Sequence, residues 1–296
     1  MLDLPIRAES DQAERLFHGR GKRYPGFEQV TIDWLPPVVL ICLYKEVSPT
    51  LVEELVELVQ TRVSKAKTIA VQCRYLPSAP YEIRWGDPLP EKLLIEESGL
   101  RYELNFAQQN SGLFFDMANG RNWVREHSGG RNVLNLFAYT CGFSVAARAG
   151  GARQVVNVDL SKRALSIGRE NHRHNGHSLE GIYFEGVDIF RSWGRLKKRG
   201  PYDLLICDPP TFQKGSVDIR KDYPKILRRL PELLNPGADL LLCLNAPDLG
   251  ESFLKELMAE SRPDCRFVER LPNPDVFIET DENAGLKVLH YCYQAS

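Results

Sequence analysis

Three aspartates each close an apolar run: Asp159 in "RQVVNVDL", Asp188 in "GIYFEGVD" and Asp208 in "YDLLICD". A carboxylate at the end of a buried strand is placed to accept hydrogen bonds from a ligand lying across the strand ends. Asp159 follows Gly142 by 17 residues. At that spacing an acid can accept from both hydroxyls of a ribose. Asp188 suits the amino group of an adenine, or else caps a helix N-terminus. Leu160, Ser161 and Ile189 belong to the same two strand ends. Asp208 is followed by Pro209, Pro210, Thr211 and Phe212. Proline cannot donate to a ladder, so the pair marks where the strand stops and the chain is held stiff. In that stiff loop Phe212 can stack on a planar base, and Asp208 can accept from an amino or ring N–H.

The first strand of this series ends in "NLFAYTCGF", where Gly142 is the only glycine. The GxGxxG that lets backbone approach a pyrophosphate is missing, which disfavours a nicotinamide dinucleotide. A nucleoside cofactor without phosphates does not need those glycines, and S-adenosylmethionine is such a cofactor. Methyl transfer from a sulfonium requires an in-line nucleophile at contact distance, so most of the help a protein gives is positioning. A stiff Asp208-Pro209-Pro210 loop opposite the methyl group answers that need.

The elements that must position these residues alternate. From about Gln108 onward, strand-like runs ("RNVLNLFA", "RQVVNVDL", "GIYFEG", "YDLLICD", "ADLLLCLN", "CRFVERL", "LKVLHYCYQ") are separated by helices starting near Phe143, Ser161, Ile189, Ile219 and Leu249. Short connections between alternating elements predict an α/β fold with a mostly parallel sheet covered on both faces. Before it, "FEQVTIDW" and "PVVLICLYKEV" read as a strand pair. "SPTLVEELVELVQTRV" reads as a helix with Ser48 as N-cap and Pro49 at its first position, and "TIAVQCRYL" and "RYELNFA" as further strands. The expected organisation is a small N-terminal α/β domain over 1–106 with a role in substrate recognition, and a second domain over 107–296 carrying the chemistry.

At 296 residues, with 43% hydrophobic and 26% charged residues, the composition is that of a soluble globular chain. No segment approaches the roughly 18 apolar residues of a membrane helix, and the start "MLDLPIRAESDQAERLF" lacks the apolar core of a leader, so a cytoplasmic location is expected. The seven cysteines are scattered without a CxxC pair and read as reduced core thiols. "HRHNGH" offers His172, His174 and His177, but at a helix end before Gly176 imidazoles serve the helix dipole, and no metal is expected. The net charge of −1 hides an asymmetry. Between Arg191 and Arg229 stand 11 Lys/Arg against 4 Asp/Glu, a candidate phosphate track around the loop at Asp208.

"NVLNLFAYTCGFSVAARAGGARQVVNVDLSKRALSIGRENHRHNG" together with "YDLLICDPPTFQK" resembles the class I methyltransferases that modify bacterial 23S ribosomal RNA, those making 5-methylcytosine or 7-methylguanine. "RLFHGRGKRYPGFEQVTIDW" and "NSGLFFDMANGR" extend the similarity from about residue 15 to the end. The resemblance implies a Rossmann-like sheet of seven strands with the last one antiparallel, S-adenosylmethionine as cofactor, and an RNA partner, ribosomal by resemblance alone. It also implies that Asn135, Phe137, Tyr139, Thr140 and Gly142 line the cofactor, with Phe115, Asp116 and Arg121 near it.

The chain departs from the family in three ways. An N-terminal PUA domain of some relatives is absent. Cys141 stands where a glycine is common, which is tolerable if its φ is negative. Asn245 stands where cytosine-5 enzymes carry a nucleophilic Cys. Carbon 5 of cytosine needs a thiolate to add to the ring, so a base nitrogen is the better acceptor. Cys243, two residues away, lies in an apolar run and reads as core. A small-molecule methyltransferase, or an RNA-binding assembly factor without turnover, are the rival readings, and the oligomeric state stays open.

Overall fold

The computed structural model describes residues 2–7, 10–210, 212–213 and 217–294, with the side chains of Phe212 and Gln213 left aside. The chain divides into two units, residues 1–115 with 275–282, and residues 116–274 with 283–296.

The first unit is a five-stranded sheet in simple order: β1 (Glu14–His18), β2 (Val30–Leu35), β3 (Val38–Leu43), β4 (Thr68–Cys73) and β5 (Tyr81–Gly86). β3 and β4 run parallel, joined by helix α1 (Pro49–Arg62); the other neighbours are antiparallel. Ser48 accepts the Leu51 N–H at 3.2 Å and Pro49 opens the helix. This is the start expected of a Ser-Pro pair, since proline has no N–H to waste in the first turn. Leu55 and Val59 bury that helix against Ile32, Ile41, Ile69 and Val71. A hairpin, β6 (Lys92–Glu97) with β7 (Leu100–Asn105), forms its own two-stranded sheet.

Residues 107–115 stay with this unit because its side chains hold them: Gln72 and Arg74 donate to the Gln109 carbonyl at 3.0 and 2.9 Å, and the Tyr81 hydroxyl donates to that of Gln108. Residues 275–282 return to it as well. The Thr280 N–H donates to the Gly21 carbonyl at 2.8 Å, His18 Nε2 lies 3.3 Å from Glu279, and Phe277 packs against the His18 ring. A Cβ on Gly21 would stand 1.8 Å from the Ile278 carbonyl oxygen, so glycine is what allows that approach.

The second unit alternates as its sequence predicts: α2 (Ala118–Glu126), β8 (Asn132–Leu136), α3 (Gly142–Ala149), β9 (Gln154–Val158), α4 (Lys162–His174), β10 (Ile182–Glu185), α5 (Trp193–Arg199) and β11 (Tyr202–Cys207). After the small pair β12 (Phe212–Gln213) and β13 (Val217–Asp218) come α6 (Ile219–Leu227), α7 (Leu230–Leu233), β14 (Leu234–Leu244), α8 (Glu251–Ser261), β15 (Cys265–Leu271) and β16 (Lys287–Tyr293). The seven-stranded sheet has the order β10-β9-β8-β11-β14-β16-β15, and only β16 runs against its neighbours.

Alternate residues of the central strands feed two cores. Leu134, Leu136, Leu205 and Leu242 pack with α5, α6 and α8 on one face; Val133, Leu204, Ile206 and Cys243 pack with α2 and α3 on the other. All seven cysteines are free thiols, six of them buried.

Candidate active site

The sheet register builds the site. Glu185, Val158, Leu136 and Cys207, on four neighbouring strands, are level with one another. The residues that follow them therefore leave the sheet at one height: Gly186, Asp159, Phe137 and Asp208. β8 is the switch point, with β9 and β10 to one side and β11 to the other. Open α/β sheets bind ligands there because the crossovers part and leave a crevice. Three strand spacings of about 4.8 Å make a row of about 14 Å from the end of β10 to the end of β11.

Asp159 is partly exposed and already bonded. Its Oδ2 accepts the Tyr139 N–H at 2.9 Å and its Oδ1 the Ser161 N–H at 2.7 Å. A carboxylate has about four lone-pair sites, so two bonds leave capacity for two hydroxyls. Ser161 caps α4 by accepting from the Ala164 N–H at 3.1 Å, and Leu160 is exposed beside it. Asp188 caps a 3₁₀ turn, Ile189–Arg191, through Oδ1, which accepts the Phe190 N–H at 2.8 Å; its Oδ2 lies 3.5 Å from Arg191. Ile189 is buried in the core beneath.

The 137–141 loop carries left-handed backbone at three alternate non-glycine residues, with φ of 59° at Phe137, 47° at Tyr139 and 63° at Cys141. The condition that Cys141 keep a negative φ is thus not met. Each such residue costs about 1 to 3 kcal/mol and persists only where its surroundings over-determine it. The bonds that do so are visible: Ala138 N–H to the Val158 carbonyl, Cys141 N–H to Ala138, Tyr139 N–H to Asp159, and the Asn171 amide to the Thr140 carbonyl. Gly168 of α4 completes the seat, since a Cβ there would stand 2.3 Å from Cys141 Sγ. Gly142 then starts α3.

Beneath the loop lies a buried polar chain. Asn135, 1% exposed, donates to Asn157 at 2.9 Å; Asn157 donates to Ser144, whose hydroxyl is 2.9 Å from His172 Nε2, and His172 Nδ1 is 3.1 Å from His177 Nδ1. Asn135 is thus placed below the loop and Thr140 is buried within it, while Phe137 and Tyr139 are partly exposed. Burial drives the His172 pKa down to about 3 and lowers that of His177, so these two act as neutral hydrogen-bonding groups. No cluster of metal-ligating side chains occurs among the described residues.

At the other end, Asp208 is only partly exposed and Pro209 is buried. Burial, and after it the nearby charge of Asp116, pushes the Asp208 carboxyl up to about 7, with the Arg121 guanidinium pulling the other way. Arg121, 4% exposed, projects from α2, and Asp116 precedes that helix. These two positions, assigned from resemblance, come together electrically with Asp208. Phe115 is buried at the end of the first unit's main segment. The backbone of Phe212 pairs with Asp218, and its side chain lies outside the described residues.

Two residues that sequence reasoning missed hold this end. The Tyr223 hydroxyl, buried on α6, lies 2.8 Å from the Cys243 carbonyl and 3.3 Å from that of Cys207, pinning β11 to β14 one residue before Asp208. Lys287, fully buried, donates from Nζ to the carbonyls of Ala246 and Asn283 at 2.8 and 2.7 Å. Nothing in "IRKDYPKIL" or "GLKVLHY" distinguishes them from an ordinary core tyrosine or a surface lysine. Cys243 is 0% exposed and burial raises its thiol pKa well above the usual range, whereas Asn245 is exposed just past the strand. An open cleft of about 560 Å³ lined by Arg148, Arg153, Glu180 and Tyr183 lies at the opposite, amino ends of β9 and β10 and carries none of these acids.

This strand order, with an acid at each of the strand ends flanking the first and no pyrophosphate-binding glycines, is the architecture of a Rossmann-like methyltransferase. Residues 14–292 match the family model described as S-adenosylmethionine-dependent methyltransferase, and the chain belongs to that family. Among its relatives, the ribosomal RNA large subunit methyltransferases I of Erwinia tasmaniensis and Serratia proteamaculans are 32% and 34% identical over 194 residues, 62% of this chain. The chain spans about half the length of these relatives, 49% of each. The crystal structure of SMU.776 complexed with SAH is 26% identical, with a TM-score of 0.85 over 95% of this chain and 75% of that one. The crystal structure of M. jannaschii tRNA m1G37 methyltransferase is similar in fold, with 16% identity and a TM-score of 0.66 over 94% of this chain and 77% of that one. No helix among the described residues is long and apolar enough to cross a membrane.

Proposed function

We propose that this protein transfers a methyl group from S-adenosylmethionine to a nitrogen of a base in structured RNA, and that this RNA is that of the large ribosomal subunit. The observation that carries the reading is the level register of β10, β9, β8 and β11, which brings Gly186, two residues before Asp188, together with Asp159, the start of the 137–142 loop and Asp208 to one edge. A row of about 14 Å suits an extended nucleoside bearing an amino-acid chain. When bound, the cofactor supplies an electrophilic methyl on a cationic sulfur. Asp159 binds the ribose with its remaining lone pairs, Asp188 reads the adenine edge with Leu160, Ser161 and Ile189 around it, and Phe137, Tyr139 and Gly142 form the floor that Asn135 and Thr140 support. Asp116 and Arg121 complete the pocket on the side of Asp208.

Pro209 and Pro210 hold the target base, and Phe212 stacks on it. Asp208 accepts a hydrogen bond from the base and, for an amine acceptor, takes its proton. A carboxyl that titrates near 7 suits a proton acceptor at neutral pH. The names of the relatives, ribosomal RNA large subunit methyltransferase I, support the choice of RNA. The test is to incubate the protein with radioactive S-adenosylmethionine and protein-free large-subunit rRNA, then digest to nucleosides for mass spectrometry. A methylated base supports the reading. Cofactor binding without transfer to any RNA, or transfer to small molecules alone, overturns it.

A further inference from the structure

The layer of α5, α6 and α7 follows a basic stretch of the sequence, and the chemistry just described does not use it. The sequence places 11 Lys/Arg against 4 Asp/Glu between Arg191 and Arg229. Folding pairs seven of these cations with acids, Arg191 with Asp188, Arg195 and Arg199 with Glu185, Arg220 with Asp248, Lys221 with Asp218, Lys225 with Asp222 and Arg229 with Glu232, so the remaining excess is carried by the others. Glu185 accepts from Arg195 at 3.1 Å and from Arg199 at 2.8 Å, and Asp222 from Lys225 at 2.8 Å; the Glu185 and Asp222 side chains are only 10% and 11% exposed, against 58% for Arg195 and 52% for Lys225. Aromatic rings brace two of these cations: Lys225 Nζ lies 5.5 Å from the Phe190 ring and the Arg229 guanidinium 6.0 Å from that of Trp193. Lys197, Lys198 and Arg228 are exposed and make no ion pair among the described residues.

We propose that this layer is a track for the phosphates of the RNA strand that carries the target base. The inference rests on the reading given under Proposed function and deepens it by naming where the rest of the substrate lies. Continuity with the site supports it. The turn leading into α5 begins at Asp188, and α6 begins after the segment that follows Asp208-Pro209-Pro210, so both helices start at the edge that holds the acids and run away from it. A strand whose base sits at Asp208 meets fixed cations along either helix. Braced cations lose little freedom on binding phosphate, which favours a polyanion over dispersed counterions. Among the described residues, none of the exposed large apolar side chains lies between residues 190 and 233, so no hydrophobic centre of a protein interface or a membrane-facing helix is seen there.

The test uses the triple variant Lys197→Ala/Lys198→Ala/Arg228→Ala, with Arg173→Ala/Lys255→Ala/Arg266→Ala as a control of equal charge loss elsewhere on the unit. RNA affinity is measured by filter binding on protein-free large-subunit rRNA across a salt series, together with KM for that RNA and calorimetric S-adenosylmethionine affinity. The expected result is an RNA affinity about 10-fold weaker and a salt slope shallower by about 2, at about 0.7 per phosphate contact removed, with cofactor affinity unchanged and the control like wild type. Filter binding reads the track even if the wild type methylates no RNA, an outcome that overturns the proposed function alone. A triple variant with wild-type RNA affinity and salt slope, or a control that loses as much, overturns the track. An acidic protein as the occupant of this face would produce the first of those two results.

Discussion

Asp159 and Asp208 leave neighbouring parts of one sheet edge, and the chain treats them in opposite ways. Asp159 is bonded to two backbone N–H groups and, like Asp208, partly exposed, so donors meet its carboxylate before any ligand arrives. At Asp208, burial and then the nearby charge of Asp116 drive the carboxyl up to about 7, with Arg121 acting the other way. The first is a fixed acceptor. The second can hold or release a proton at physiological pH. In the proposed function, one edge separates a binding task from a proton-handling task by backbone hydrogen bonding at the end of β9 and burial at the end of β11.

The largest effect that tests this contrast is on turnover. Asp208→Asn keeps the size of the side chain but removes the proton acceptor. It should lower kcat for rRNA methylation by about 10²- to 10⁴-fold if the acceptor is an exocyclic amine, because the amine must shed a proton, and by less than about 10-fold if it is a ring nitrogen such as guanine N7, which simply becomes cationic. S-adenosylmethionine affinity should stay within a few-fold of wild type. Single-turnover assays with calorimetry on the same preparation measure both. Loss of cofactor affinity equal to the loss of rate would erase the division of labour between the two acids.

The complementary change, Asp159→Ala, should weaken S-adenosylmethionine about 10- to 100-fold, since hydrogen bonds to a charged acceptor are worth about 1.5 to 3 kcal/mol each and about 1.4 kcal/mol is tenfold. It also frees the Tyr139 and Ser161 N–H groups, so part of that loss comes from a loosened 137–141 loop. Calorimetry on a variant shown by circular dichroism to be folded checks it, and unchanged affinity would remove Asp159 from the cofactor site.

The two acids also differ in how far the sequence announces them. Both follow apolar runs of strand length, and the paired prolines after Asp208 mark a sheet edge without ambiguity, so the seven strands of the second unit and their alternation with helices were legible. The left-handed Cys141 was not, because its conformation is imposed by Gly168 on α4 and by bonds from Ala138 and Asn171, contacts that no local pattern records. β5 was hidden for a different reason. It is an edge strand with five exposed residues and shows no alternation of burial. The return of residues 275–282 to the first unit depends on contacts with His18 and Gly21 more than 250 positions away. Tyr223 and Lys287 were invisible because their value lies in which carbonyls they reach.

A third prediction uses the raised Asp208 pKa as a stability reporter. Between about pH 4, where an unfolded Asp titrates, and about pH 7, the folded chain keeps a proton that the unfolded chain releases, so stability falls as pH rises through that window. Asp208→Asn removes the penalty. The variant should match wild type near pH 4 and be more stable at pH 8 by on the order of 2 kcal/mol, reduced from the full linkage value because the carboxyl is partly exposed, which is a rise of a few degrees in melting temperature. Thermal melts of both proteins at the two pH values decide it. An equal difference at both would mean that the effect is packing and that Asp208 is no titrating counterpart to Asp159.

The smallest effect on activity is expected at Cys243, and it bears on which base atom the Asp208 end serves. A cytosine-5 mechanism needs a thiolate that adds to the ring, forming a covalent enzyme–RNA bond that a 5-fluorocytosine-substituted RNA traps. Cys243 is fully buried between β11 and β16 neighbours, its thiol is held protonated by burial and by the nearby Asp208 charge, and the strand end where such a thiol would emerge is occupied by Asn245. A thiol in that position has neither the charge nor the access to attack. Cys243→Ala should therefore keep methyl transfer within a few-fold of wild type while losing about 1 to 2 kcal/mol of stability from the vacated core space, and no trapped complex should form with fluorinated RNA. Denaturant melts and denaturing gels of the RNA reaction separate the two readouts. A covalent complex that disappears in the variant would move the acceptor from nitrogen to carbon and would require the strand end to open far enough to expose a residue that now sits in the core.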